Sequence, residues 1–363
     1  MKRPTHGGNL AWAAAVAGCS PSLILDFSAS INPLGPPKRA IAAIAEALGT
    51  LSAYPDPNYH ALRDSLSQLH PSIPPEWILP GNGSAELLTW AGRELSVLEK
   101  TYVVTPAFSD YRRALQAFNG NIIGCPLDLS VENLNCPFIT PPRLEADQGS
   151  GLLLNNPHNP TGQLFDREAI VPYLEQFALV VVDEAFMDFL PPGREQSLIP
   201  LIQDYPNLVI LRSLTKFYSL PGLRLGYAVA HPERLQRWQQ WRDPWSVNTL
   251  AAVAARAVVD DTAFQQQTWD WLAPTRSQLF QGLAALPGLQ PLPGSANFLL
   301  VQTEYPSSQL QRQLLTHDQV LIRDCLSFPE LGDRYFRVAV RTMAENQRLL
   351  AGLAVILSSS NGV

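Results

Sequence analysis

The sequence predicts an α/β fold: a large domain built on a mainly parallel sheet covered by helices, then a smaller α+β domain toward the C-terminus. Three observations carry that reading. Short apolar runs of strand length alternate with helical stretches. Clusters of Gly, Asn, Asp and Lys begin where those runs end, as expected of a site at the carboxyl edge of a parallel sheet. The 363 residues, 46% hydrophobic and 16% charged, can bury one large core with a companion and disfavour extended disorder. The expected division is an N-terminal arm over 1–36, a large domain over 37–250 and a small domain over 251–363.

The arm carries His6-Gly7-Gly8-Asn9, an alanine-rich helix, and Asp26-Phe27-Ser28-Ala29-Ser30-Ile31-Asn32-Pro33-Leu34-Gly35. Pro33, Gly35 and Pro36 force an irregular path after a strand-like Leu23-Ile24-Leu25, and an irregular path tipped with Asn32 can face a ligand. A helix is expected from about Arg39 to Leu48 with Ile41 and Ile44 on its packed side. The Pro-rich segment Tyr54–Tyr59 forms a rigid loop before a helix through Leu62, Leu66 and Leu69.

The strand Trp77-Ile78-Leu79 gives way to Gly81-Asn82-Gly83-Ser84. There the glycines permit close backbone approach, Ser84 can cap the next helix, and the N–H groups at that helix start suit a phosphate. After the strand Tyr102-Val103-Val104, Thr105–Tyr111 opens a helix, and Phe108 offers a flat face to a ring, although most such aromatics are core. The strand Leu152-Leu153-Leu154 ends in Asn155-Asn156-Pro157-His158-Asn159-Pro160-Thr161-Gly162, whose prolines hold the Asn159 amide ready for a phenolic oxygen. Leu179-Val180-Val181-Val182 delivers Asp183 to a strand end. A buried carboxylate there needs a cation, such as a pyridinium nitrogen; the plainer alternative is a helix cap.

Between the strands Leu208–Leu211 and Leu225–Val229 lies Ser213-Leu214-Thr215-Lys216, with Arg224 just before the second strand. A lone loop lysine is most often a solvated charge. Desolvated beside a second cation, its amine loses its proton more readily and can form a carbon–nitrogen link to an aldehyde. Ser213, Thr215 and Arg224 supply hydroxyls and a planar fork suited to a phosphate monoester, so the set points to pyridoxal phosphate. Beyond it, a long helix through Leu250, Val253, Ala257 and Phe264 is expected to bridge the domains. Short strands follow at Asn297–Val301, Val320–Arg323 and Tyr335–Val340, where Arg323 and Arg337 want anionic partners.

The composition excludes several classes. A net charge of −6 with scattered Lys and Arg leaves no footprint for nucleic acid. The 32 prolines stand mostly at segment borders and form no linker. Cys19, Cys125, Cys136 and Cys325 have neither metal-ligand spacing nor the density of a disulfide framework, so reduced thiols in a cytoplasmic protein and no metal are expected. The run ending Val16-Ala17-Gly18-Cys19 resembles a lipoprotein signal, but His6–Asn9 interrupts it, leaving an apolar core too short for a membrane span.

Gly81-Asn82-Gly83-Ser84, Asn159, Asp183, Ser213-Leu214-Thr215-Lys216 and Arg224 occur in the order found in class I/II aminotransferase-like enzymes. The chain resembles these fold type I pyridoxal-phosphate enzymes over nearly its whole length. Within them it is similar to the threonine-phosphate decarboxylases of cobalamin synthesis, a family itself similar to the histidinol-phosphate aminotransferases. This rests on His6–Asn9, Asp26–Gly35, Leu211–Tyr218, Pro244-Trp245-Ser246-Val247-Asn248 and the two late arginines.

The resemblance implies a coenzyme held by Gly83, Ser84, Ala85, Phe108, Asn159, Asp183, Ser213, Thr215, Lys216 and Arg224, with Tyr54 reaching across a homodimer. It implies catalysis by Lys216 and Asp183, and a phosphorylated amino acid held by His6, Gly7, Asn32, Asn159, Arg323 and Arg337. The implied reaction is decarboxylation of O-phospho-L-threonine to (R)-1-amino-2-propanol phosphate and CO2; the alternative is a histidinol-phosphate-type aminotransferase using 2-oxoglutarate and glutamate. Phe186, where the aminotransferases carry a tyrosine, favours the decarboxylase. A binding protein that has lost the chemistry is disfavoured because Lys216, Asp183, Asn159 and Arg224 are all present.

Overall fold

The computed structural model describes residues 3–130, 138–144 and 147–360; Cys136 lies outside them. Thirteen strands are described: β1 Leu25–Asp26, β2 Ile78–Asn82, β3 Lys100–Thr105, β4 Ile122–Pro126, β5 Ser150–Asn155, β6 Leu179–Asp183, β7 Leu208–Ser213, β8 Leu225–Ala230, β9 Leu289–Pro291, β10 Phe298–Thr303, β11 Val320–Leu321, β12 Arg323–Asp324 and β13 Tyr335–Ala339.

Seven strands form the central sheet in the order β2-β8-β7-β6-β5-β3-β4. Its pairs are parallel except those made by β8, which runs antiparallel to both β2 and β7. The continuous apolar runs in β5 to β7 exist because both faces are covered. Val180 and Val182 pack into one core, while Leu179 and Val181 pack into the other. Parallel neighbours therefore end together, and Asn155 and Asp183 stand side by side in register.

A second, antiparallel sheet has the order β12-β13-β10-β9, with Arg323 opposite Arg337. The arm joins this C-terminal half: β1 pairs with β11, and the Phe27 carbonyl accepts from Ala339 N–H at 2.8 Å. Of the expected strand Leu23–Leu25 only Leu25 is in β1; Leu23 ends a 3-10 turn, Pro21–Leu23, whose start is set by Pro21.

Two helix expectations are corrected. The helix Lys38–Ala47 buries Ala40 and Ala47, while Ile41 is 52% exposed. It packs on the helix Thr249–Val258, which buries Ala251, Ala254, Ala255 and Val258 and leaves Leu250, Val253 and Ala257 only half-buried. Small residues let the two axes approach, so alanine is chosen over isoleucine at the seam. The expected single long helix is two, Thr249–Val258 and Thr262–Ala284, broken where the Asp261 carboxylate caps the second by accepting from Phe264 N–H at 3.1 Å. A boundary after residue 250 thus falls inside a helix that also packs on His60–Leu69 of the large domain.

Among the described residues, no helix is long and apolar enough to cross a membrane, and no cluster of His, Cys, Asp or Glu could hold a metal. The described cysteines, Cys19, Cys125 and Cys325, are free.

Candidate active site

A cavity of about 320 Å³ opens at the carboxyl ends of β5, β6 and β7 and is roofed by the arm and by β12 and β13. Its floor comes from the parallel strands. Asp183, the last residue of β6, accepts from Tyr111 Oη at 2.8 Å and from Ala185 N–H at 3.0 Å. Burial pushes its carboxyl above the ordinary range, and Lys216 together with the Tyr111 hydroxyl pulls it back. Asn155 beside it is buried, and its Oδ1 has no hydrogen-bond partner.

Lys216 sits on the one-turn helix Leu214–Phe217, started by Ser213, whose hydroxyl accepts from Thr215 N–H. Its Nζ lies 3.5 Å from Ser213 Oγ and 5.0 Å from the centroid of the Phe186 ring. Burial, with Arg224 and Arg337, pushes the amine below its usual value, while Asp183 opposes that shift. An amine so placed is poised to lose its proton and act as a nucleophile.

Arg224 enters from the opposite direction, at the start of the reversed strand, in a left-handed conformation with φ 59°. Its guanidinium occupies the place where a side chain on Gly83 would go: a Cβ there would lie 2.5 Å from Nη2. Gly83, at φ 75°, is also the residue that starts the helix Ser84–Leu95. The cap is therefore Gly83, and Ser84 is the first helical residue with no capping bond, which corrects the expectation for Ser84. Guanidinium and helix N-terminus side by side form an anion cradle.

The substrate side is built by the arm and the second sheet. Arg337 donates to Asn159 Oδ1 and to the Ser28 carbonyl, and its charge lies 4.7 Å from the centroid of Phe298. Burial and neighbouring Arg323 push its guanidinium down to about 10. Arg323 donates to the Thr5 carbonyl and to Ser327 Oγ. The His6 ring lies 5.6 Å from the Phe108 ring, and burial pushes its pKa down. Gly7 is needed for close approach, since a Cβ there would strike the Ser28 carbonyl at 2.2 Å.

The donor set fits pyridoxal phosphate. The buried Asp183 carboxylate makes no salt bridge among the described residues, an amine with lowered pKa stands nearby, and an empty Cβ position is filled by a guanidinium at a helix start.

A family model described as aminotransferase class I and II matches residues 23–353. The chain belongs to the class I and II aminotransferase family. A threonine-phosphate decarboxylase from Salmonella typhimurium is 41% identical over 361 residues, covering 97% of this chain and 96% of that one. A histidinol-phosphate aminotransferase from Symbiobacterium thermophilum is 35% identical over 331 residues, covering 90% of this chain and 88% of that one. The crystal structure of the histidinol-phosphate aminotransferase from Clostridium acetobutylicum superposes with TM-score 0.81 at 26% identity, covering 93% of this chain and 100% of that one.

Of the residues expected at an aminotransferase-type site, the cavity brings together His6, Gly7, Phe108, Asn159, Asp183, Thr215, Lys216, Arg224, Arg323 and Arg337. Gly83 and Ser213 stand directly behind Arg224 and Lys216. Asn32 is placed differently. Its amide donates to the Phe217 carbonyl and to Thr268 Oγ1, both at 2.9 Å, and its oxygen accepts from Leu34 N–H at 3.1 Å. With its side chain 2% exposed and spent on the fold, it braces the lysine turn instead of facing a ligand. Tyr54 is 79% exposed and stacks on Trp245 at 4.4 Å, away from this chain's own cavity.

Tyr111 and Asn155 escaped the sequence reading. Tyr111 was hidden among core aromatics, and the usable signal was its spacing, one helical turn after Phe108. Asn155 ends its strand as Asp183 ends the next, which marked it equally well.

Proposed function

We propose that the chain is a pyridoxal-phosphate-dependent decarboxylase that converts O-phospho-L-threonine to (R)-1-amino-2-propanol phosphate and CO2 in cobalamin biosynthesis. The observation that carries the reading is one lysine facing two buried arginines across a single cavity, in a chain 41% identical over nearly its full length to a threonine-phosphate decarboxylase. Two arginines suit a substrate with two anionic groups.

Bound at Lys216, the coenzyme supplies a ring that accepts the electron pair left when a bond at the substrate α-carbon breaks. Asp183 would hold the ring nitrogen protonated, and Tyr111 would keep that carboxylate charged and aimed. The Asn159 amide, its oxygen turned to Arg337, would offer its N–H to the phenolic oxygen. Arg224, Ser213, Thr215 and the N–H groups of Gly83, Ser84 and Ala85 would take the coenzyme phosphate, with Phe108 over the ring face.

Arg337 would grip the substrate carboxylate and set which α-carbon bond stands across the ring, which selects loss of CO2 over loss of the α-proton. His6, Gly7 and Arg323 would take the substrate phosphate and exclude water by drawing the arm down. We further propose a cytoplasmic homodimer, in which exposed Tyr54 reaches the neighbour's coenzyme phosphate. The division into arm, large domain and small domain is proposed on the same basis.

The purified protein, incubated with phosphothreonine, should release CO2 without added keto acid. Amino transfer from histidinol phosphate to 2-oxoglutarate, with no CO2 from phosphothreonine, would overturn the reading in favour of an aminotransferase.

A further inference from the structure

One acceptor in the lining of the cavity is left unmet. Among the described residues, Asn155 Oδ1 has no hydrogen-bond partner, although the residue is only 3% exposed and lines the cavity beside Asp183. A buried amide oxygen without a donor has lost its hydration and gained nothing in return, so such an atom calls for a physical reason. Arg337 Nε and Ser30 Oγ are the other unmet side-chain atoms of the same lining. The first belongs to a guanidinium that awaits an anion, and the second is a hydroxyl free to rotate. Asn155 Oδ1 can only accept.

The orientation of this amide is set by its other end. Nδ2 donates to the Pro157 carbonyl at 3.3 Å, and turning the amide over would press two acceptors together. Its direction is set by the sheet. Asn155 closes β5 and Asp183 closes β6 as register partners on parallel strands, so their side chains leave the sheet on the same face. Asn156 N–H donates to the Asp183 carbonyl at 3.0 Å and carries the pairing past the strand ends.

Asp183 Oδ2 accepts from Tyr111 and its Oδ1 from Ala185 N–H, each keeping a lone pair for a ligand. No donor of the protein meets Asn155 Oδ1 among the described residues, so its donor has to arrive with a ligand. In pyridoxal phosphate the group directed at Asp183 is the N–H of the ring.

We propose that Asn155 Oδ1 is a second acceptor for the N–H of the coenzyme ring, sharing that proton with Asp183. The inference rests on the pyridoxal-phosphate reading of this cavity. A neutral amide oxygen does not titrate, so it holds the ring nitrogen in place even where Asp183 gains a proton.

The test compares two ligands on the coenzyme-free full chain, with dissociation constants read from tryptophan fluorescence. One is pyridoxal phosphate, and the other is its deaza analogue, in which a C–H stands where the ring nitrogen is. Both carry the same aldehyde and phosphate, so attachment at Lys216 and contacts to Arg224 cancel in the ratio.

The wild type should prefer pyridoxal phosphate. Asn155→Leu should cut that preference about tenfold, the size of one hydrogen bond to a charged group, by weakening pyridoxal phosphate and sparing the analogue. Asn155→Ala, which only removes atoms, should do the same. A preference unchanged in both variants, or a loss of affinity equal for the two ligands as a merely structural amide would give, overturns the proposal alone. Binding of neither ligand to the wild type would overturn the coenzyme reading and the proposal with it.

Discussion

Replacing Tyr111 by Phe removes one hydroxyl and leaves the ring packing unchanged, so it isolates the donor to Asp183. That hydroxyl is 1% exposed with its residue, lies 2.8 Å from Oδ2, and is one of the groups drawing the Asp183 carboxyl back toward its ordinary range. A buried hydrogen bond to a charged acceptor contributes about 1.5–3 kcal/mol. At about 1.4 kcal/mol per pKa unit, its loss should raise the Asp183 pKa further by about one to two units.

The sign for stability follows. A carboxyl whose folded pKa is raised contributes stability that is complete below its unfolded value of 3.8 and is lost as pH rises through the folded value. Tyr111→Phe moves that loss to higher pH and deepens it, so its deficit in urea unfolding of the coenzyme-free protein should be larger at about pH 8 than at about pH 5. With phosphothreonine, kcat should fall about 10- to 100-fold while KM changes little, since the hydroxyl touches the carboxylate and not the substrate. A variant with the wild-type kcat and a pH-independent stability deficit would refute the account.

Further outcomes follow from the same geometry. Lys216→Ala should abolish CO2 release and the visible absorption band of the purified protein; retention of that band would remove the lysine from the coenzyme's attachment. Arg337→Met should raise KM for phosphothreonine at least about tenfold, because a charge-assisted pair with the substrate is lost. It should also leave the coenzyme-free protein as stable as the wild type or more so. Burial that pushes Arg337 down to about 10 costs roughly 3 kcal/mol, against about 2 kcal/mol from its two hydrogen bonds; a clear drop in melting temperature would contradict this. His158 is fully buried with its pKa pushed down from 6.5 to about 3, so its stabilising contribution is complete above 6.5 and is lost as pH falls toward 3. His158→Gln should flatten the acid limb of a stability–pH curve by up to about 1.4 kcal/mol per pH unit.

The sheet and many of the residues that line the cavity were legible because apolar runs end where chemically distinctive residues begin, as at Val182-Asp183. The direction of β8 was not, because an apolar run such as Leu225–Ala230 reads the same either way. Helix faces failed where burial is set by a neighbour: nothing local shows that Ala40 meets the alanines of Thr249–Val258 while Ile41 stays outside. Asn32 stood in a motif, yet its amide is consumed by the Phe217 carbonyl and the Thr268 hydroxyl, 185 and 236 positions away. The cavity lined by His70, Asp188, Arg212 and Trp269 was invisible for the same reason, since those residues meet only in three dimensions.

The reversed strand has a consequence for how this protein can change. Because Ser213 pairs with Gly226 across it, the segment leaving β7 and returning along β8 is a closed bracket, with the nucleophile near one jaw and Arg224 near the other. Slipping one jaw by a residue would turn the side chains of its strand to the opposite face, so amine and guanidinium are locked as a pair. The turn between them is tied in as well, since Pro221 lines the cavity and its carbonyl accepts from Arg224 Nη1 at 3.2 Å. Inserted residues should therefore be rejected at the turn as well as at either strand.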